Sequence, residues 1–111
     1  MSRELLAAIA PYLRDFIRRV NAAPGDAAVT SWIRTRAQND RVGGDSASQH
    51  LIGTAADFVA RGTTTHAALA ASLRSVGLVV VDEGDHIHAQ LFNAGAAGPF
   101  IRAAIARGWI A

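Results

Sequence analysis

Cysteine is absent from the 111 residues, which excludes disulfides, thiolate metal sites and a cysteine nucleophile. Lysine is absent too: all eleven basic residues are arginine, set against nine acids for a formal net charge of +2. The pI near 10.4 therefore reflects a base that titrates very late, not a strongly basic surface. The arginines run from Arg3 to Arg107 with no dense cluster, so no nucleic-acid partner is expected, although a mild positive charge suits an anionic polymer. No apolar run approaches the roughly 20 residues that a membrane span needs, so no membrane insertion is expected. The opening Met1-Ser2-Arg3-Glu4 sets an acid beside a base and does not read as a secretory signal. Against these absences, half the residues are hydrophobic and 18% are charged, which predicts one domain over 1–111 with a real core and argues against global disorder.

Hydrophobic spacing organises the chain. Leu5, Leu6, Ile9, Leu13, Phe16, Ile17 and Val20 recur at three- and four-residue intervals, predicting a helix over 2–21 that Pro11 either kinks or divides. Residues 21–26 read as a turn and 28–33 as a strand. The polar stretch 36–49, with Gly43-Gly44 inside it, reads as a loop holding one helical turn. A second strand is expected over 53–59. A helix capped by Thr63, Thr64 or Thr65 then runs to about Ser75 and ends at Gly77. Residues 78–81 read as a buried strand, and 86–92 as its hairpin partner after the turn at Gly84 and Asp85. Residues 93–99 read as a flexible link before a short helix over about 100–108. This order predicts an α+β domain with a small antiparallel sheet flanked by helices.

Two segments carry the chemistry. One is Ser48-Gln49-His50-Leu51-Ile52-Gly53-Thr54-Ala55-Ala56-Asp57; the other is Asp85-His86-Ile87-His88. With no thiol available, a metal must be held by imidazole and carboxylate. A histidine and an aspartate from the first segment with a histidine from the second make a three-ligand set, which leaves one tetrahedral position for water. Strand alternation puts His86, His88 and Gln90 on one face and Ile87, Ala89 and Leu91 on the other, so the histidines face a groove. The bland alternatives stay open at this level: a structural His-x-His, Asp57 as a cap or turn residue, and His66 as an exposed helix residue.

Ser48-x-His50-x-x-Gly53-x-Ala55-x-Asp57 resembles the signature of the M15 zinc peptidases, the group of D-Ala-D-Ala carboxypeptidases and phage endolysins. Thr30-Ser31-Trp32-Ile33-Arg34-Thr35, Asn39 and Val42-Gly43-Gly44 resemble that group's upstream run, and Asp85-His86-Ile87-His88 resembles its closing strand. The likeness extends from about Leu5 to Leu91. It implies the Hedgehog/DD-peptidase fold, Zn2+ as cofactor and His50, Asp57 and His88 as its ligands. It further implies Asp85 as general base, and Arg34 as the holder of a scissile carbonyl oxygen or a substrate carboxylate. Ser48 and Gln49 would support the ligands or touch substrate, and His86 would stand beside the centre to stabilise the transition state.

The implied activity is a zinc metallopeptidase acting on peptidoglycan peptides, of phage or prophage origin. It would be made in the cytoplasm and reach the cell wall after release or as part of a virion. The alternative is a catalytically inactive, metal-stabilised module of the same fold. Three features depart from the group's pattern. Trp32-Ile33 stand where glycine and an aromatic are usual. A second acid-to-histidine pair at the same spacing, Glu83 with His86, offers an alternative base and register. The segment after Phe92, including the helix expected at 100–108, matches nothing in the pattern. Oligomeric state is not encoded in any of these features.

Overall fold

The computed structural model describes residues 1–111. Helix α1 spans Arg3–Ala22; its cap is Ser2, whose Oγ accepts from the Leu5 N–H at 3.1 Å, one of the orphan donors of a helix start. Pro11 lies inside this one continuous helix. Strand β1 (Ala27–Ser31) leads to α2 (Arg36–Arg41), which opens with a reciprocal capping box between Thr35 and Gln38. A 3₁₀ turn at Gln49–Leu51 precedes β2 (Ala55–Ala60). Helix α3 (His66–Ser75) is capped by Thr65 and followed by Gly77 at φ +85°. Strands β3 (Val79–Asp82) and β4 (Ile87–Gln90) form a hairpin, and α4 (Ala94–Ala106) follows. None of these helices is long and apolar enough to cross a membrane.

The four strands form one antiparallel sheet in the order β1-β2-β4-β3. Its period-two alternation divides labour between the faces. Ala56, Phe58, Ile87 and Ala89 point to one side and pack with Phe16 of α1 and Leu69, Ala70 and Leu73 of α3. The opposite side carries Asp57, His88 and Gln90. Asp57 lies across from His88, and His88 across from Val81. A second core joins Leu5 and Ile9 of α1, Leu51 and Ile52 at the 3₁₀ turn, and Ala97, Ile101 and Ala104 of α4. Burying these apolar side chains stabilises the domain by roughly 1.5–3 kcal/mol for each large one. The second core also fixes the 3₁₀ turn against two helices.

Three expectations are corrected. Residues 93–99 are not a flexible link: Asn93 caps α4, its Oδ1 accepting from the Ala96 N–H at 2.9 Å, and Gly95, Gly98 and Pro99 lie inside the helix. Glycine and proline oppose helix formation locally, but burial of Ala97, Ile101 and Ala104 outweighs that propensity. The polar stretch 36–49 is a loop whose helical part, α2, is longer than the single turn expected, and it ends at the start of the 3₁₀ turn. Strand β3 is not buried: it is a sheet edge, and Val79 and Val81 are 39% and 44% exposed. A run of valines does not tell an edge strand from a central one.

Candidate metal centre

The site begins with the turn that feeds β2. Ser48 caps the 3₁₀ turn through its Oγ, which accepts from the His50 N–H at 3.2 Å. Gly53, at φ +79°, redirects the chain into the strand, and a Cβ there would come within 2.8 Å of Leu13 Cδ2, so only glycine fits. Buried Gln49 ties the turn to the end of β4. Its Oε1 accepts from Thr54 Oγ1 at 2.9 Å and from the Phe92 N–H at 3.1 Å, while its Nε2 donates to the Phe92 carbonyl. His50, on a turn, and Asp57, on a strand, are thereby held on one metal-sized spot although six residues lie between them. The antiparallel register brings His88 to the same spot from β4.

His50 Nε2 lies 3.2 Å from Asp57 Oδ1, and His88 Nδ1 lies 3.1 Å from the same oxygen. One donor atom from each of these three residues falls within 4.8 Å of the others. A tetrahedral zinc with ligands at about 2.0–2.2 Å separates its donors by about 3.3–3.5 Å, close to both measured separations. The outer hydrogen bonds set the tautomers. His50 Nδ1 faces the Trp32 carbonyl, which only accepts, so that nitrogen carries the proton and Nε2 presents a lone pair. Gln90 Nε2 donates to the Phe92 carbonyl at 2.8 Å, which turns its Oε1 to accept from His88 Nε2–H at 2.8 Å. His88 Nδ1 then presents a lone pair as well. With both rings neutral, two imidazole lone pairs and a carboxylate oxygen converge on one spot. That arrangement can hold a divalent cation, and a mixed nitrogen–oxygen set accepts zinc among other first-row metals.

The titration directions agree. Burial pushes the Asp57 carboxyl up, but the hydrogen bonds and charges of His50 and His88 outweigh it and hold the group well below the usual carboxylate range. Burial pushes His88 down, but its hydrogen bonds to Asp57 and Gln90, with the charges of Asp57 and Glu83, raise it above the ordinary histidine value. A proton on His88 thus occupies the place a cation would take, and the two compete.

Arg34 anchors the outer side of the carboxylate. Its Nη2 donates to Asp57 Oδ2 at 2.8 Å, Nε to Ser31 Oγ at 3.0 Å and Nη1 to Asn39 Oδ1 at 3.3 Å. Asn39, only 1% exposed, also donates to the Asp45 carbonyl. Arg34, expected to hold substrate, is engaged on Asp57, and Ser48 and Gln49, expected to support the ligands or touch substrate, brace the His50 turn as a cap and through Thr54 and Phe92. His86 stands beside the triad, its Nε2 3.9 Å from Asp57 Oδ1. Its Nδ1 is 2.7 Å from Asp85 Oδ1, and the Asp85 side chain is 91% exposed. The hydrogen bond from His86 lowers the Asp85 carboxyl. Glu83, not Asp85, lines the groove over the triad, a cleft of about 740 Å³. His66 pairs with Asp82 at 2.8 Å, away from this groove.

The outer partners were only partly legible in the chain. Alternation places Gln90 on the face of His88, a usable signal. The Trp32 carbonyl is backbone and carries no residue-type signal. Asn39 belongs to a recognisable motif run, but its contact with Arg34 does not follow from spacing.

An antiparallel sheet with a His-Asp-His triad on its open face defines a domain built to hold a metal in a groove. The family model described as Peptidase M15 matches residues 6–90, and the chain belongs to that family. Neither the curated proteins nor the solved structures contain a match to it.

Proposed function

We propose that this domain is a zinc-dependent peptidase that hydrolyses the peptide part of bacterial peptidoglycan, as a D-Ala-D-Ala carboxypeptidase or a stem-peptide endopeptidase of phage or prophage derivation. The observation that carries the reading is the convergence of three lone-pair donors, from His50, Asp57 and His88, at the floor of an open groove in a chain of the M15 peptidase family.

His50, Asp57 and His88 would hold the ion. Zinc bound there supplies Lewis acidity, acidifying a water and polarising a carbonyl. Arg34 fixes the Asp57 carboxylate through Oδ2, leaving Oδ1 to the centre. Hydrogen bonds from His50 and His88 to Trp32 and Gln90 keep both imidazoles aimed inward. His86 is the proton carrier of this reading: Asp85 holds its Nδ1–H, and Nε2 faces the triad. A proton taken at Nε2 is then available to the leaving amine. Asp85 acts by orienting the ring and stabilising its charge. Glu83, on the groove wall, is the alternative base.

The second reading, a metal-stabilised module without catalysis, draws on one observation: the Asp85 carboxylate faces solvent rather than the groove. Release of new amino groups from purified sacculi separates the two. Zinc-loaded protein should release them and His50→Ala should not; equal release by both defeats the peptidase reading. His86→Gln should lower the rate about 10²–10⁴-fold if His86 carries the proton. If Glu83→Gln alone has that effect, the base is Glu83. Elemental analysis of untagged protein should give one zinc per chain.

A further inference from the structure

The groove needs a group to bind its substrate's charge, and Arg34 is already engaged. Three of its nitrogens donate within the protein, and its side chain is 16% exposed. Turning it toward a ligand would strip Asp57 Oδ2 of its partner in a site where that carboxylate is 8% exposed, and a buried unpaired charge is costly.

A different guanidinium is free. Arg102 of α4 lines the groove that contains His50, Asp57 and His88, and it also lines an adjoining cavity of about 240 Å³. It has no hydrogen-bond or ion-pair partner in the protein, and neither does the side chain of Arg36 on the wall of the same cavity. Close packing on Gly98 limits its freedom at one side: a Cβ at that position would lie 3.1 Å from Arg102 Nη1. Of the acids around it, Asp57 is held by Arg34 and Asp45 caps the Ala47 N–H, while Glu83 on the groove wall and Asp40 on the cavity wall form no ion pair with Arg102. Arg102 lies outside the matched residues 6–90, on a helix that this chain packs against the His50 turn.

We propose that Arg102 is the specificity-determining residue of the groove and binds a carboxylate of the peptide substrate. A guanidinium fork presents paired donors in the plane a carboxylate accepts, and its charge is independent of pH in the working range. The geometry deepens the peptidase reading and rests on it: cleavage over the triad and carboxylate capture on α4 share one cleft. The carboxylate is either the free C-terminus of the peptide or an acidic side chain within it, and both present the same planar acceptor.

Equilibrium binding to the metal-free protein tests this without turnover. The probes are an N-acetylated peptide ending in D-alanyl-D-alanine as free acid, its C-terminal amide, and an amidated peptide carrying one acidic side chain. Wild type should prefer a carboxylate-bearing probe to the uncharged amide by about 10- to 100-fold, the range of a charge-assisted hydrogen bond. Preference for the free acid assigns the C-terminus; preference for the acidic side chain assigns that group. Arg102→Gln should erase the preference, and Arg102→Lys should restore part of it. In the zinc-loaded enzyme the same loss should fall on KM more than on kcat. Unchanged preference in Arg102→Gln, or no preference in wild type, overturns the assignment whatever the hydrolysis assay gives. Loss of preference in that variant upholds it even if zinc-loaded protein cleaves nothing, in which case the peptidase reading alone fails.

Discussion

Removing Gln90 tests whether the centre depends on the bonds behind its ligands. In Gln90→Leu the shape is roughly kept, but His88 Nε2–H loses its acceptor at 2.8 Å and the Phe92 carbonyl loses a donor at 2.8 Å. Each bond contributes about 0.5–1.5 kcal/mol net, so the fold should lose about 1–3 kcal/mol. At about 4–8 °C per kcal/mol for a small domain, the fall in Tm is easily measured. The larger diagnostic is metal affinity. With its acceptor gone, His88 is free to move its proton to Nδ1, the nitrogen that must bind. Loss of such an outer partner costs about 10–100-fold in affinity, or about 1.4–2.8 kcal/mol. His50 and Asp57 keep their own anchors, so binding should weaken rather than vanish. Competition against a chromophoric chelator measures this directly. Gln90→Glu, which keeps an acceptor and adds charge, should bind zinc at least as tightly as wild type. Unweakened zinc binding in Gln90→Leu would refute the claim that this hydrogen bond sets the His88 tautomer.

Three further outcomes are expected. Asp57 has a lowered carboxyl pKa, so its contribution to stability is complete above its unfolded value of about 3.9 and is lost as pH falls below it; His88 is raised, so its contribution is complete below about 6.5 and is lost as pH climbs through its folded value. Metal-free protein should therefore lose Tm as pH rises above about 6.5, with His88→Gln flattening that limb, and a Tm that instead rises there would contradict it. Gly44→Ala would place a Cβ 2.1 Å from Asn39 Oδ1, displacing the residue that steadies Arg34; a loss of about 1–3 kcal/mol is expected, whereas Gly95→Ala, with its nearest neighbour at 3.6 Å inside α4, should stabilise by about 0.4–1 kcal/mol. Ile101→Ala, at a fully buried position that holds α4 against the His50 turn, should cost about 2–5 kcal/mol in thermal unfolding and weaken zinc binding too; an unchanged affinity would show that the turn keeps its place without α4.

Several features were determined by the chain alone. The lack of cysteine restricted any metal site to imidazole and carboxylate. Alternation along 86–90 put the histidines opposite buried Ile87 and Ala89, and the threonines at 63–65 with Gly77 bracketed α3, the structure choosing Thr65 as the cap. These rest on local geometry, in which a residue's neighbours along the chain fix its direction. Other features needed the folded molecule. Alternation assigns His86 and His88 to the same side, so periodicity could not choose between them; the pairing of β4 with β2 sets His88 opposite Asp57 and leaves His86 just before the strand. The helix at 94–106 defied its glycines and proline because its stability comes from the core it packs into. The arginine named by the motif is engaged on Asp57, while Arg102, which no motif names, faces the groove unpaired. Such outcomes depend on which groups meet across long stretches of chain, and a side chain's partners, unlike its direction, are settled only when distant segments close on one another.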